Sequence, residues 1–175
     1  MSVATLGHLE LPTTRNGELF VFCHGAGGRL TFHEGGPPRA LWNLLLARGV
    51  ACYAPRTPTG DDWTLDATGS VEPTPDGALV AAQVAALRKR FGLDGRVHVL
   101  GFSQGTGLAG ELARYVPGVA SLALCAAFGG LRYLRGRLEP LQVFHLYGGS
   151  DRLGELGPAR AAGVLPGAGR DVGAL

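Results

Sequence analysis

The sequence predicts an α/β fold: a mostly parallel, doubly wound sheet with helices on both faces. Three observations carry that prediction. Short apolar runs of strand length recur along the chain, and amphipathic segments of helical period lie between them. A serine flanked by glycines stands where one such run gives way to a helix. Alternation of this kind implies parallel neighbours joined by right-handed crossovers.

The strand-like runs are Leu6–Leu11, Glu18–Cys23, Val50–Ala54, Arg96–Leu100, Val119–Cys125 and Leu141–Tyr147. Most are unbroken rather than alternating, which suits strands covered on both faces. The turn-rich link from Pro12 to Gly17 allows the first pair to be antiparallel. A first helix is marked by Leu41, Leu44 and Leu45, entered through Pro37-Pro38 and ended at Gly49. In a second, Asp76 is the expected cap and Val80, Val84, Leu87 and Phe91 form the inward stripe. The third follows the serine and turns Leu108, Ala109, Leu112 and Tyr115 to one side. Between Arg56 and Pro75 runs a long loop without periodicity, of the kind that is usually functional or mobile. There is no repeat, no linker and no room for an inserted lid.

Bulk properties fit one domain spanning residues 1–175. The chain is 46% hydrophobic and 17% charged, and a chain of this length buries about 70% of its unfolded surface. A net charge of +2 with scattered basic residues argues against a nucleic-acid partner. No run approaches the roughly 18 apolar residues of a membrane span, and the amino terminus does not read as a leader, so the expected address is the cytoplasm. Cys23, Cys52 and Cys125 all lie in apolar strand-like segments. Their odd number and placement favour buried free thiols over a disulfide framework or a metal site.

Chemistry concentrates at Gly101-Phe102-Ser103-Gln104-Gly105. A Gly-x-Ser-x-Gly segment between strand and helix is the nucleophile-elbow pattern. The reversal is so tight that side chains two residues either way collide, hence the glycines. It lifts the hydroxyl clear of the sheet and points the next backbone N–H groups, at the positive helix end, toward the same spot. In a chain with 29 glycines the bare string is weak evidence; its strand–helix context is what carries weight. Gly105-Thr106-Gly107-Leu108-Ala109-Gly110 also spells a dinucleotide fingerprint. It begins four residues too late, however, and no ribose-binding carboxylate stands near Phe128–Arg132. Gly107 and Gly110 are expected instead to let the helix approach the sheet.

Ligands in open α/β sheets gather at the carboxyl ends of strands. There the sequence places His24-Gly25-Ala26-Gly27-Gly28 and Gly148-Gly149-Ser150-Asp151. The first is an expected oxyanion loop, with the Ala26 amide paired to that of Gln104; a phosphate loop would need a following Lys-Ser/Thr. The second offers Asp151 as the orienting acid of a Ser–acid–His triad, in the chain order serine then acid. A plain turn aspartate is the competing reading of Asp151.

His24-Gly25-Ala26, Ala54-Pro55, Trp63, Gly101–Gly105 and Gly148-x-x-Asp151 together resemble the carboxylesterase/phospholipase group of α/β-hydrolases, which includes acyl-protein thioesterases. The resemblance runs from about Leu19 to Asp151. It implies an α/β-hydrolase fold without a lid, and hydrolysis of carboxylic esters or thioesters as small-molecule substrates without a cofactor. It further implies Ser103 as nucleophile, Asp151 as acid, and a pocket walled by Trp63 and the Arg56–Pro75 loop.

The same resemblance calls for a histidine after the acid, yet His8, His24, His33, His98 and His145 all precede Asp151. Arg170 stands where that base belongs, and arginine stays protonated at ordinary pH. Three arrangements remain open: Arg170 replaces the base, the base lies beyond this sequence, or another histidine such as His33 reaches the pocket. An inactive α/β-hydrolase-fold protein that binds a ligand or partner is the alternative function.

Overall fold

A computed structural model describes residues 7–27, 36–58, 62–64, 72–127, 130–135 and 140–146. Among the described residues six strands form one sheet: β1 (Gly7–Glu10), β2 (Leu19–Cys23), β3 (Ala51–Pro55), β4 (Val97–Phe102), β5 (Val119–Cys125) and β6 (Gln142–Leu146). Their spatial order is β1-β3-β2-β4-β5-β6. All neighbours are parallel except β1, which runs antiparallel to β3 with His8 opposite Ala54. The antiparallel edge agrees with the sequence, but its partner is the third strand, not the second. The second strand is central: Leu19 lies between Ala51 of β3 and Val97 of β4.

The β2 sequence Leu-Phe-Val-Phe-Cys explains that position. Every residue of it is buried, so neither face can front water. Alternate side chains feed two cores. Leu19, Val21 and Cys23 join Val80, Val84 and Leu87 of helix α2 (Pro75–Phe91) and Leu108, Ala109 and Leu112 of helix α3 (Gly105–Tyr115). Phe20 and Phe22 pack with Trp42 of helix α1 (Gly36–Ala47) on the opposite face. Helices therefore cover both faces of this mostly parallel sheet. Strand β6 departs from the fully buried pattern, since Phe144 is 48% and Leu146 45% exposed. Among the described residues it has a neighbour on one side only.

Capping fixes α2 in place. Thr74, not Asp76, is its N-cap: the Thr74 hydroxyl accepts from the Gly77 amide at 3.1 Å, and Pro75 opens the first turn. Asp76 sits one position further in, where its charge meets the positive helix end. At the other end Gly92 adopts φ +63° and its amide returns to the Arg88 carbonyl, a left-handed stop that glycine takes without steric cost. Arg88, Lys89 and Arg90 occupy the last turn, matching the negative end.

Cys23, Cys52 and Cys125 are free thiols, the first two buried. No described helix is long and apolar enough to cross a membrane.

Candidate active site

The elbow is built by strand β4 and helix α3. Ser103 follows β4 directly and holds φ +51°, a left-handed conformation that costs a non-glycine residue about 1–2 kcal/mol. Neighbouring bonds over-determine it. The Ser103 amide donates to the Cys125 carbonyl of β5 at 2.8 Å. Its carbonyl accepts from the Thr106 amide at 3.0 Å and the Thr106 hydroxyl at 2.8 Å.

Both flanking glycines are sterically required. A Cβ on Gly101 would lie 2.6 Å from the Gly105 carbonyl and 2.7 Å from Ala109 Cβ. One on Gly105 would run into the Cys23 and His24 carbonyls. The helix thus starts hard against the end of β2, and that contact brings the 24–27 loop to the serine. Gly110 serves a different approach from the one expected. A Cβ there would strike the backbone of Gly130, so Gly110 admits the loop before the 3-10 turn Leu131–Leu134, not the sheet.

The loop after β2 lies beside Ser103. A Cβ on Gly25 would be 3.3 Å from Ser103 Cβ and 3.2 Å from the Phe102 ring. Ala26 is exposed, while Ser103 and Gln104 are half-buried. Among the described residues, neither the Ala26 nor the Gln104 amide has a hydrogen-bond acceptor. The Gly27 amide is held by Asp62 Oδ1 at 2.9 Å.

Trp63 is 3% exposed and ties this corner together. Its indole N–H donates to the His24 carbonyl at 2.8 Å, and its ring lies 4.5 Å from the His24 ring. Its backbone amide donates to the Gln104 side-chain oxygen at 3.0 Å. Trp63, the residue expected to wall a pocket, is buried against the loop after β2 and the elbow. His24 Nδ1 is 2.7 Å from the Gly25 carbonyl, the geometry of an Nδ1–H donor.

Two carboxylates near this corner escaped sequence reasoning as site-supporting groups. Asp76, 3% exposed, accepts from the Thr64 amide at 2.7 Å. Glu111, 2% exposed on α3, accepts from the Thr74 amide at 2.8 Å and the Tyr133 hydroxyl at 3.0 Å. Burial pushes the Glu111 carboxyl above the ordinary carboxylate value, and these hydrogen bonds pull it partly back. One signal was available: Glu111 falls three residues after Leu108 and directly before Leu112, on the face that packs inward.

The structure brings Ser103, Gln104, Ala26 and Trp63 to one corner. Asp151, Arg170 and His33 lie outside the described residues. Among the described residues no histidine ring bonds the Ser103 hydroxyl. His98 is five residues back along the chain and engages Ser121 at 2.8 Å. Among the described residues no three His, Cys, Asp or Glu side chains are gathered as a metal would require. An open cavity of ≈ 240 Å³ between Thr14–Asn16 and Ala47–Gly49 sits before the starts of β2 and β3, at the opposite end of the sheet from Ser103.

No protein-family model matches the sequence, and no curated protein matches it either. Solved structures do. An acetyl xylan esterase from Aspergillus awamori aligns with TM-score 0.58 and 20% identity over 74% of this chain. The alignment spans 49% of the esterase, so this chain corresponds to about half of that protein's length. A putative α/β hydrolase from Agrobacterium tumefaciens aligns with TM-score 0.61 and 12% identity, covering 89% of this chain and 71% of the other. A lidless α/β serine hydrolase from Xanthomonas campestris gives TM-score 0.53 and 15% identity, over 88% of this chain and 70% of the other. With the sheet order and the strand–helix crossovers, these likenesses show that the chain has the α/β-hydrolase fold.

Proposed function

We propose that this chain is a serine hydrolase of carboxylic esters or thioesters, acting through an acyl-enzyme at Ser103. The observation that carries the reading is the left-handed backbone of Ser103, held between two sterically required glycines beside a loop with an unengaged amide. Strain of this kind collects where a side chain must be presented to a ligand. Ser103 Oγ would bond to the ester carbonyl carbon while the carbonyl π pair moves onto oxygen. The Ala26 and Gln104 amides would hold that oxyanion, helped by the amino-terminal end of α3. Collapse of the intermediate would expel the alcohol or thiol and leave Ser103 acylated. Water then releases the acid. Asp151 would orient the base that carries the proton between these steps, and the pocket would lie over the elbow.

Esterases and hydrolases among the fold neighbours support the substrate class. One observation favours a second reading, a ligand-binding protein that has kept the fold without turnover. No histidine follows Asp151 in this sequence, and the stretch around Arg170 resembles the turn that would carry the base. Loss of one triad member elsewhere leaves only about 10³- to 10⁴-fold catalysis over water. The two readings separate on p-nitrophenyl acetate. A rate above that of Ser103→Ala, raised by orders of magnitude in Arg170→His, is the outcome expected of the hydrolase. Equal rates for parent and Ser103→Ala, with no gain in Arg170→His, favour the binding protein.

A further inference from the structure

Both proposed oxyanion donors hang on the same short segment. Trp63 donates its backbone amide to the Gln104 side chain at 3.0 Å and its indole N–H to the carbonyl of His24 at 2.8 Å. Gln104 carries one proposed donor amide, and His24 stands two residues before the other. Whatever fixes Trp63 therefore fixes both halves of the oxyanion pocket at once.

Trp63 is fixed in turn from α2. The next residue, Thr64, donates its amide to Asp76 Oδ2 at 2.7 Å. Asp76 is buried in the first turn of α2. That turn is itself clamped from α3: Glu111 accepts from the Thr74 amide at 2.8 Å and from the Thr74 hydroxyl at 2.9 Å. The fit is close, since any Cβ on Gly77 would collide with the Glu111 carboxylate. The result is a closed path. It leaves α3 at Glu111, passes through Thr74, Asp76, Thr64 and Trp63, and returns at Gln104, directly before α3. A buried carboxylate is costly unless its lone pairs are met; on this path Asp76 accepts from Thr64 and Glu111 from Thr74, and Tyr133 is a further donor to Glu111.

We infer that Asp76 is a positioning residue for the oxyanion pocket, holding the Trp63–Thr64 segment so that the Gln104 and Ala26 amides point at one oxygen. The inference rests on the proposed function for its kinetic consequence but not for its structural one. Donors that shift by about 1 Å lose most of their value in the transition state, where geometry is exacting. Ground-state binding of the ester depends far less on them.

The test compares the parent chain with Asp76→Ala and Asp76→Asn on p-nitrophenyl acetate, at a temperature where all three are folded. Asparagine keeps a side-chain oxygen for the Thr64 amide while the charge is lost and the other oxygen becomes an NH2 group. Asp76→Ala should lower kcat at least tenfold with KM within twofold, and Asp76→Asn should recover kcat to within about threefold of the parent. A purely stabilising role would leave kcat of the folded variants unchanged, and that result overturns the inference. Hydrogen exchange at the Trp63 indole N–H gives a readout independent of turnover. Protection should fall at least tenfold in Asp76→Ala and hold in Asp76→Asn; unchanged protection in Asp76→Ala also overturns it. If the parent shows no Ser103-dependent turnover while the exchange pattern holds, the proposed function fails and the tether stands.

Discussion

Ser103 is the residue on which the site turns, and its backbone makes a claim that needs no substrate. At φ +51° a side chain is tolerated only because Cys125 and Thr106 hold the peptide from both sides. Replacing the serine by glycine removes the Cβ penalty, whereas alanine keeps it. Ser103→Gly should therefore melt higher than Ser103→Ala by about 2–4 °C, the equivalent of roughly 1 kcal/mol in a domain of this size. Calorimetry of the two variants checks it, and equal melting temperatures would mean the bend stores no strain. The elbow was legible because its sterics are local: Gly101, Ser103 and Gly105 need only their own neighbours to declare themselves. Trp63 was not legible in the same way. Its role depends on the His24 carbonyl and the Gln104 side chain, 39 and 41 residues away along the chain.

Elements show the same division between local and distant causes. The apolar runs mark all six described strands to within about two residues, because strands covered on both faces draw mostly on apolar side chains. Partner choice is a different matter. Nothing in Leu6–Leu11 says that β1 will pair with β3, since that depends on where the crossover through α1 delivers the later strand. The cap of α2 was misplaced for a local reason: Asp76 and Thr74 are both good capping residues, and Pro75 between them decides in favour of the position before it. Helix α1 is joined to β1 by charge. Glu10 accepts from Arg39 at 2.9 and 3.2 Å and from the Trp42 indole at 2.9 Å. The Arg39 hydrogen bonds chiefly hold its carboxyl below the ordinary value of 4.5, against the opposing effect of burial. A carboxylate lowered in the folded state stabilises above its unfolded value and loses that contribution as pH falls through the lowered one. Glu10→Gln should thus melt about 2–4 °C below the parent at pH 7. The gap should close in acid. Melting curves across pH decide it, and a gap that persists in acid would assign the effect to packing instead of charge.

At the scale of the whole molecule, one sheet edge gathers what the sequence scatters. The parallel order β3-β2-β4-β5 puts the ends of β2 and β4 side by side, so residues 24–27 and 101–105 meet although more than seventy positions separate them. Two helices buttress that corner from one face, and the buried Asp76 and Glu111 carboxylates link them to it. The fold was legible in full outline from alternation and from the elbow. The support behind the proposed oxyanion loop was not, because it is made of single hydrogen bonds between distant segments that no periodicity records. What the whole arrangement is for turns on a single covalent event. With p-nitrophenyl acetate in excess, the activated leaving group makes acylation the faster half-reaction, so under the proposed mechanism the acyl-enzyme should accumulate. Peptide mass spectrometry after a short reaction should find one acetyl group on Ser103, absent from the Ser103→Ala chain. Acetyl groups confined to Lys89 and the amino terminus, with Ser103 unmodified, would contradict the account.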